Sequence, residues 1–316
     1  METTRHIPAH FGDKRYYAYN RYLRDVFGHK VFKVPLDAGF TCPNRDGTAG
    51  TGGCAFCSAR GSGDFAGTRG HSLEAQFAAV RARMRRKWAT RHCIAYFQAF
   101  TNTYAPVDRL RACFETALGF DGVVGLAVAT RPDCLPAGVV DYLAELHQRT
   151  FLWVELGLQT VHEDTAARMN RGHDYACYLD GVAALRRRGI RVCAHIINGL
   201  PGESRAGMLE TARAVAAQDV QGIKIHLLHL MEDTPLAAAC ARAPFPLMER
   251  ADYVELVCDQ LELLPPEMVV QRLTGDAPRD RLVGPAWSIQ KWEVLNAIDR
   301  ELARRDTWQG CRRGDA

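Results

Sequence analysis

The chain has 316 residues, 47% hydrophobic composition and a formal charge of +4, enough apolar material for one large α/β core or a core with a smaller appendage. So modest a charge excludes a strongly polyanionic or polycationic protein, and no apolar run approaches the length needed to span a membrane. The opening Met-Glu-Thr-Thr-Arg-His has no basic stretch followed by an apolar segment, so an unprocessed cytoplasmic protein with no membrane partner is expected.

After an N-terminal extension over 1–29, short β-branched or apolar runs alternate with helical segments, the pattern of repeated βα units on a parallel sheet. The runs at 30–36, 93–97, 123–128, 151–158, 191–197 and 222–228 read as six strands. Segments such as 72–89 and 136–148 have helical spacing between them, the first opening on Ser72 as a helix cap. Six units predict a partial (β/α)6 TIM-type barrel over 30–232, with a doubly wound open sheet as the competing topology. Around 230–250 the periodicity is broken by prolines, and a helix over 247–264, a strand over 269–273 and an amphipathic helix over 287–305 read as a small C-terminal α/β appendage, 233–316, closing the barrel.

In the loop after the first strand stand three cysteines, Cys42, Cys54 and Cys57, with a Cys-x2-Cys pair at its end. Each iron of a [4Fe–4S] cube takes a thiolate, so three protein sulfurs leave one iron open to a small molecule, which suggests catalysis. A structural zinc site is the alternative; its nearest further ligand, His71, lies fourteen residues past Cys57 without the usual spacing. Gly50, Gly52 and Gly53 suit a loop folded tightly around a cube. The other eight cysteines are scattered singly through mostly apolar runs and read as small core residues in a reducing compartment.

In parallel barrels and open sheets alike, chemistry collects at the C-terminal strand ends. Gln98 and Thr101 follow the second run, Thr130-Arg-Pro-Asp133 the third, Glu155 and Gln159 lie in and just beyond the fourth, and His195 with Asn198-Gly-Leu-Pro-Gly-Glu203 closes the fifth. Glu155 in an apolar strand needs a donor, for which Arg131 or a hydroxyl of a bound ligand is available. Basic residues crowd at Arg81, Arg83, Arg85, Arg86, Lys87 and Arg91, at Arg186–Arg188, and at Arg300, Arg304, Arg305, Arg312 and Arg313. They form either a phosphate-binding face or ordinary solvated helix faces.

The order of these motifs, with Glu155-Leu-Gly-Leu-Gln-Thr160, Asn170-Arg-Gly-His173 and Gly199-Leu-Pro-Gly-Glu203, resembles the radical S-adenosylmethionine superfamily over nearly the full length. Within it the chain looks like the YhcC/YtqA branch, related to the Elongator acetyltransferase catalytic subunit and, further off, to anaerobic coproporphyrinogen oxidase. The eleven residues between Cys42 and Cys54, the run from Tyr96 to Ala105, and Gln271-Arg-Leu-Thr-Gly-Asp276 carry the likeness to that branch.

The resemblance implies a [4Fe–4S] cluster on Cys42, Cys54 and Cys57, with S-adenosylmethionine on the open iron and reductively cleaved to a 5′-deoxyadenosyl radical. It implies cofactor contacts from Phe56 near the adenine, from Gln159 and Arg171, whose guanidinium suits a carboxylate, and from Gln98, Thr130, Arg131, Glu155 and His195. His195 stands where the oxidase relative carries an acid. A flavodoxin, ferredoxin or dedicated reductase is the implied electron donor. The implied substrate is the wobble uridine of tRNA, its 5-carboxymethylaminomethyl group processed to aminomethyl, with Tyr104, Phe100 and Trp287 as stacking partners. The same radical chemistry on a small molecule or protein, or a zinc-stabilised nucleic-acid-binding module, are the alternatives.

Overall fold

The computed structural model describes residues 6–85 and 90–313. Arg86, Lys87 and the end of the expected 72–89 helix lie outside the described residues, as does the side chain of Arg85.

The expected βα alternation is present. β1 (Phe32–Leu36) is followed by α2 (Leu73–Arg85), after the short α1 (Tyr19–Phe27) that precedes it. Then come β2 (Cys93–Phe97), α3 (Val107–Leu118), β3 (Val123–Thr130), α4 (Ala137–Arg149) and β4 (Phe151–Gln159). Two helices, α5 (Glu163–Arg168) and α6 (Tyr175–Arg186), lead to β5 (Arg191–Asn198), and α7 (Arg205–Ala216) to β6 (Gly222–Leu227). The expected N-cap of α2 is made, Ser72 Oγ accepting from the Ala75 N–H at 3.2 Å.

Beyond β6 lie β7 (Leu230–Met231), α8 (Pro235–Arg242), α9 (Arg250–Leu263), β8 (Val269–Arg272), β9 (Leu282–Gly284) and α10 (Lys291–Arg305). The sheet is parallel throughout, in the order β1-β2-β3-β4-β5-β6-β8, curled into a half-barrel. The strand expected in the appendage is therefore the seventh strand of the barrel, hydrogen-bonded to β6 across the boundary drawn at 232–233. The short β7 and β9 form a separate antiparallel pair.

Side chains alternate across each strand. The outward set, with Val34, Phe97, Val128, Leu156 and Ile196, packs beneath the helices into one large core. The inward set is apolar at the N-terminal strand ends, where Ile94, Ala127, Trp153 and Cys193 meet Leu23, Tyr19 and Tyr22 of α1. Tyr22 stands edge-on to Trp153 at 5.8 Å between ring centroids. Thus α1 plugs the bottom of the barrel, while the helix expected to close it, α10, buries Val294, Ile298 and Leu302 in the outer core against α9.

The barrel stays open between β1 and β8, and its seam is stitched at two levels. Lys33 on β1 donates to Gln271 Oε1 on β8 at 2.8 Å. Lower down, Ala18 bridges Val270, whose N–H donates to Tyr17 O at 2.9 Å. Gln309 fastens this edge: its Oε1 accepts from the Tyr17 N–H at 2.9 Å, and its amide donates to the Pro265 and Met268 carbonyls. Among the described residues no helix is long and apolar enough to cross a membrane.

Gln309 is fully buried, so Gln309→Ala strands one backbone N–H and two carbonyls and is expected to cost about 2–4 kcal/mol. A fall in melting temperature of roughly 5 °C or more checks this; an unchanged melt would mean that the seam is held elsewhere.

Candidate active site

Beyond β1 the chain runs through the cysteine segment without regular secondary structure, held by its own turns and by one neighbouring loop. The Arg45 N–H donates to Cys42 O, Gly53 N–H to Asn44 O and Cys57 N–H to Cys54 O, all between 2.7 and 2.9 Å. Gly53 has φ +79°, and a Cβ there would stand 2.7 Å from Arg45 Nε, so only glycine fits.

The neighbouring loop is Asn170–His173. Ala55 N–H donates to Met169 O at 2.8 Å, Asn170 Nδ2 to Thr51 O at 3.1 Å and Gly53 O at 2.8 Å, and Asn44 Nδ2 to Asn170 O and Arg171 O. Gly172 has φ +77°, and a Cβ would lie 2.8 Å from Asn44 Oδ1. The Asn-Arg-Gly-His motif is thus a buckle that holds the cysteine segment against the barrel rim.

All three cysteines open onto one cavity of about 1100 Å³ that fills the upper barrel. Burial pushes the Cys54 thiol up to about 12 and raises Cys57 as well, so both are thiols at neutral pH until a cation holds them as thiolates. Among the described residues no three His, Cys, Asp or Glu side chains converge on a point where a single metal ion would sit, and His71 is exposed and away from the cavity. Three thiols on one cavity wall without a further ligand fit a cluster with an open iron better than the closed tetrahedron of structural zinc.

Phe56, Gln98, Thr130, Arg131, Glu155, Gln159, Arg171 and His195 all line this same cavity, but they divide into distinct jobs. Gln159 sits in a bulge between β4 and β5 with φ +64°, and its amide has no partner among the described residues. Arg171 supports that bulge. Its Nη1 donates to the carbonyls of Leu158 at 2.7 Å and Thr160 at 2.6 Å, on either side of Gln159, Nε donates to His173 O at 2.8 Å, and Nη2 faces Glu163 at 3.3 Å. With one N–H left, Arg171 cannot grip a carboxylate through two parallel bonds as its sequence position suggested; the geometry makes it a positioning residue. Arg131 is similarly committed, bidentate to Asp133 and donating to Arg171 O at 2.7 Å.

Phe56 packs against the small apolar cluster of Met169, Leu200, Leu228 and Leu236 while facing the cavity. Gln98 Nε2 donates to Ser62 O at 2.8 Å, and Ser62 Oγ lies 3.4 Å from Cys57 Sγ. Thr130 bonds Thr103, whose hydroxyl reaches Cys134 O at 2.6 Å. The Asn198–Glu203 motif stays off the cavity wall, Asn198 instead pairing its amide with Gln260 of α9 at 2.9 Å.

Glu155 is fully buried, and the partner expected for it, Arg131, is not the one it has. Its carboxylate takes Lys33 Nζ at 2.6 Å, Lys224 Nζ, and His195 Nε2 at 3.0 Å. Both oxygens are occupied, so Glu155 and His195 belong to a polar floor beneath the cysteine end. Burial alone would raise the carboxyl, but Lys224, Lys33 and His195 together hold it well below the usual range. Burial, then Lys224, takes His195 down to about 4, so its ring is neutral. Lys224 also donates to Tyr96 OH at 3.0 Å, and Lys33 lies over the Tyr19 and Tyr96 rings at 4.7 Å from each centroid. Sequence reading missed Lys33, Tyr96 and Lys224; the signal was two lysines in apolar strands of the same barrel as Glu155.

Many of the described arginines of the three clusters are paired with acids. Arg81 pairs with Asp121 at 2.8 Å and Arg186 with Asp219 at 2.9 Å, both beside the N-terminal strand ends, and Arg188 pairs with Asp141. Arg304 and Arg305 pair with Glu301, Arg305 also with Asp259, Arg312 with Glu262 and Arg313 with Glu267. Arg83 is the described member of the first cluster that reaches the cavity. Phe100 lines the cavity with the Arg69 and Arg45 guanidinium groups 4.5 and 5.4 Å from its ring centre. Tyr104 borders a second, smaller cavity of about 640 Å³, and Trp287 is packed on Tyr253 and bonded to Met248 O.

Fold and site together define a partial-barrel enzyme whose reaction chamber is the barrel interior, entered beside a three-cysteine loop. Residues 45–215 match the Radical SAM superfamily and residues 220–304 the Radical_SAM C-terminal domain, and the chain belongs to the radical SAM superfamily of enzymes. It is 61% identical to the uncharacterized protein YtqA of Bacillus subtilis over 94% of this chain and 92% of that one, and 40% identical to protein YhcC of Escherichia coli over 87% and 88%. A tRNA uridine(34) acetyltransferase of Dehalococcoides mccartyi is 27% identical over 49% of this chain and 34% of its own length. Among solved structures, the archaeal Elp3 of Methanocaldococcus infernus superposes with a TM-score of 0.66 at 16% identity, over 88% of this chain and 64% of that one, a likeness of fold.

The buried ion cluster makes a stability prediction. Glu155→Gln leaves Lys33 and Lys224 without their carboxylate and is expected to destabilise by about 3–5 kcal/mol, partly restored in the Glu155→Gln/Lys224→Met double variant. Because the folded carboxyl is depressed, the wild-type advantage is fully present above about pH 4.3 and is lost as pH falls through the folded value. Denaturation of both variants across pH checks this; equal stability at neutral pH would show the pairing to be without net effect.

Proposed function

We propose that this chain binds a [4Fe–4S] cluster on Cys42, Cys54 and Cys57 with S-adenosylmethionine beside it. We propose further that it modifies the wobble uridine of tRNA, converting a 5-carboxymethylaminomethyl group to aminomethyl. The observation that carries the reading is one chamber with three thiols and an unpartnered glutamine amide at its mouth and a charged, plugged floor below. Such a pair of cofactors, when bound, supplies reductive cleavage of the sulfonium and hydrogen abstraction from an otherwise unreactive carbon.

The chain's own residues orient and contain. Gln159 offers its amide to S-adenosylmethionine, and Arg171 holds the bulge that aims it. Phe56 presents its ring to the adenine from between two cluster ligands. Arg131, Thr130 and Gln98 keep the rim in shape through Asp133, Thr103 and Ser62. Below them α1 closes the chamber to water from beneath, which protects a reactive species. A flavodoxin, ferredoxin or dedicated reductase is the electron donor in this reading.

The tRNA substrate is supported by the partial likeness to a tRNA uridine(34) acetyltransferase and by the rim itself. Phe65 and Ile289 border the mouth and are exposed, as a flipped base that must be stacked and guided inward requires. The pairing of Arg81, Arg186 and Arg305 with acids favours a second reading, a small-molecule substrate that needs no polyanion-binding face.

Replacing Cys42, Cys54 or Cys57 by Ala is expected to abolish cleavage of S-adenosylmethionine by anaerobically reconstituted protein, with loss of brown colour and of iron and sulfide. Full cluster content in all three variants would sink the assignment. Gln159→Ala and Arg171→Ala are both expected to weaken S-adenosylmethionine binding roughly tenfold to hundredfold, with Arg171→Ala alone lowering the melting temperature. Nucleoside mass spectrometry of tRNA from a deletion strain decides the substrate: accumulation of the carboxymethylaminomethyl nucleoside is expected, and an unchanged profile would leave the small-molecule reading.

A further inference from the structure

The floor of the chamber carries more positive charge than the protein neutralises. Lys33 and Arg272 line it together with Lys224, which burial lowers to about 7, against the one carboxylate of Glu155. The other acids on the cavity wall sit at the rim: Asp64 and Asp276 are paired with Arg281 and Lys291, and Asp280 is exposed. The histidines add no charge, since burial takes His229 down to about 4 and, with Arg272, His226 well below its ordinary value. Surplus cations in a buried chamber are costly unless an anion joins them.

Hydrogen-bonding capacity is left over at the same place. Arg272 stands beside Lys224 in the β6–β8 register, yet its guanidinium makes no hydrogen bond or ion pair among the described residues. Gln271 accepts from Lys33 through Oε1, while its Nε2 is buried without an acceptor. His229 Nε2 and Ser288 Oγ, also on the cavity wall, are buried without partners. Gly275 keeps the space open, since a Cβ there would lie 3.2 Å from the His229 ring. A fork-shaped cation, an ammonium and a free amide donor around one space match a planar oxyanion with two acceptor oxygens.

We propose that the barrel floor is an oxyanion subsite, in which Arg272, Lys224 and the Gln271 amide hold a carboxylate of the substrate. A carboxylate fits better than a phosphate because the subsite lies at the closed end of the barrel. The phosphates of a nucleic acid stay with its backbone outside, and what reaches the floor is the substituent of an inserted base. The choice of carboxylate over phosphate and the identity of that substituent, the carboxymethyl group that distinguishes the uridine substrate from its aminomethyl product, rest on the function proposed above; the oxyanion subsite itself does not. Binding here anchors the far end of the substituent, leaving the carbons between it and the base facing the cysteine end of the chamber.

The test is calorimetric titration of the full-length, cluster-reconstituted protein with four probes: the nucleosides 5-carboxymethylaminomethyluridine and 5-aminomethyluridine, N-methylglycine and inorganic phosphate. The expected result is that the carboxylate nucleoside binds at least about tenfold tighter than the aminomethyl nucleoside. That preference should fall to roughly threefold or less in Arg272→Gln and be partly restored in Arg272→Lys, which keeps the charge but not the fork. Measurable and equal binding of the two nucleosides by wild type, or a preference untouched in a folded Arg272→Gln protein, overturns the subsite. Binding of N-methylglycine that depends on Arg272, with neither nucleoside bound, upholds the subsite and removes the uridine reading. Phosphate binding tighter than N-methylglycine overturns the carboxylate assignment, and no binding by any probe overturns the proposal outright. Should Arg272→Gln fail to fold, the two nucleosides compared on wild type decide alone.

Discussion

The cysteine segment has no helix or strand of its own, so the site depends on the buckle at Asn170–His173. Its donors and acceptors tie three things together: the segment itself through Asn44, Thr51, Gly53 and Ala55, the end of β3 through Arg131, and the β4 bulge through Arg171. Hydrogen bonds of this kind are individually modest, but here nearly every one joins residues distant in sequence, so the loop cannot shift without breaking several at once. The same buckle that fixes the thiols thereby fixes the direction in which the Gln159 amide points. The cysteine segment and the Gln159 side of the chamber are set by one piece of chain.

The second organising constraint is electrostatic. A carboxylate with no exposure is tolerated at Glu155 because two ammonium groups and an imidazole surround it, drawn from β1, β5 and β6. That arrangement also gives the half-barrel a polar layer between the apolar plug below and the open chamber above. Lys33 takes part twice, in the Glu155 cluster and in the contact to Gln271 that spans the open seam. Closure of the barrel and charge balance on its floor are therefore coupled through one side chain.

How much of this was readable in advance follows from the physics of each element. The six strands through β6 announce themselves because buried parallel strands are near-continuous apolar runs, and their C-terminal ends led directly to the polar residues that line the chamber. The seventh strand was legible as a strand but not as a barrel member, because the proline-broken stretch before it hides α8, and the pattern of the expected helix over 247–264, α9, does not say that it carries the chain back to the sheet. The floor was half legible: Glu155 was recognisable as a buried charge, but its donors come from strands far away in sequence, and the nearer-looking Arg131 is taken by Asp133, two residues on. That Arg171 spends most of its donors on backbone carbonyls was hidden for a related reason, since a spacing cannot say whether a guanidinium faces ligand or backbone. Arginine-rich helices likewise say nothing about their acidic partners on neighbouring helices.

The fastening of Tyr17 by Gln309 has a bearing on how the chain matures as it leaves the ribosome. Synthesis proceeds from the N-terminus, and domains fold as their residues emerge. The plug, α1, is made long before the edge it leans on, β8, and before the side chain that ties the segment preceding it. A nascent chain that already displays all three cysteines and the buckle therefore still has an unsealed barrel bottom. The barrel bottom can be fastened only once translation has passed Gln309, so loading of any guest that needs a watertight chamber follows that point.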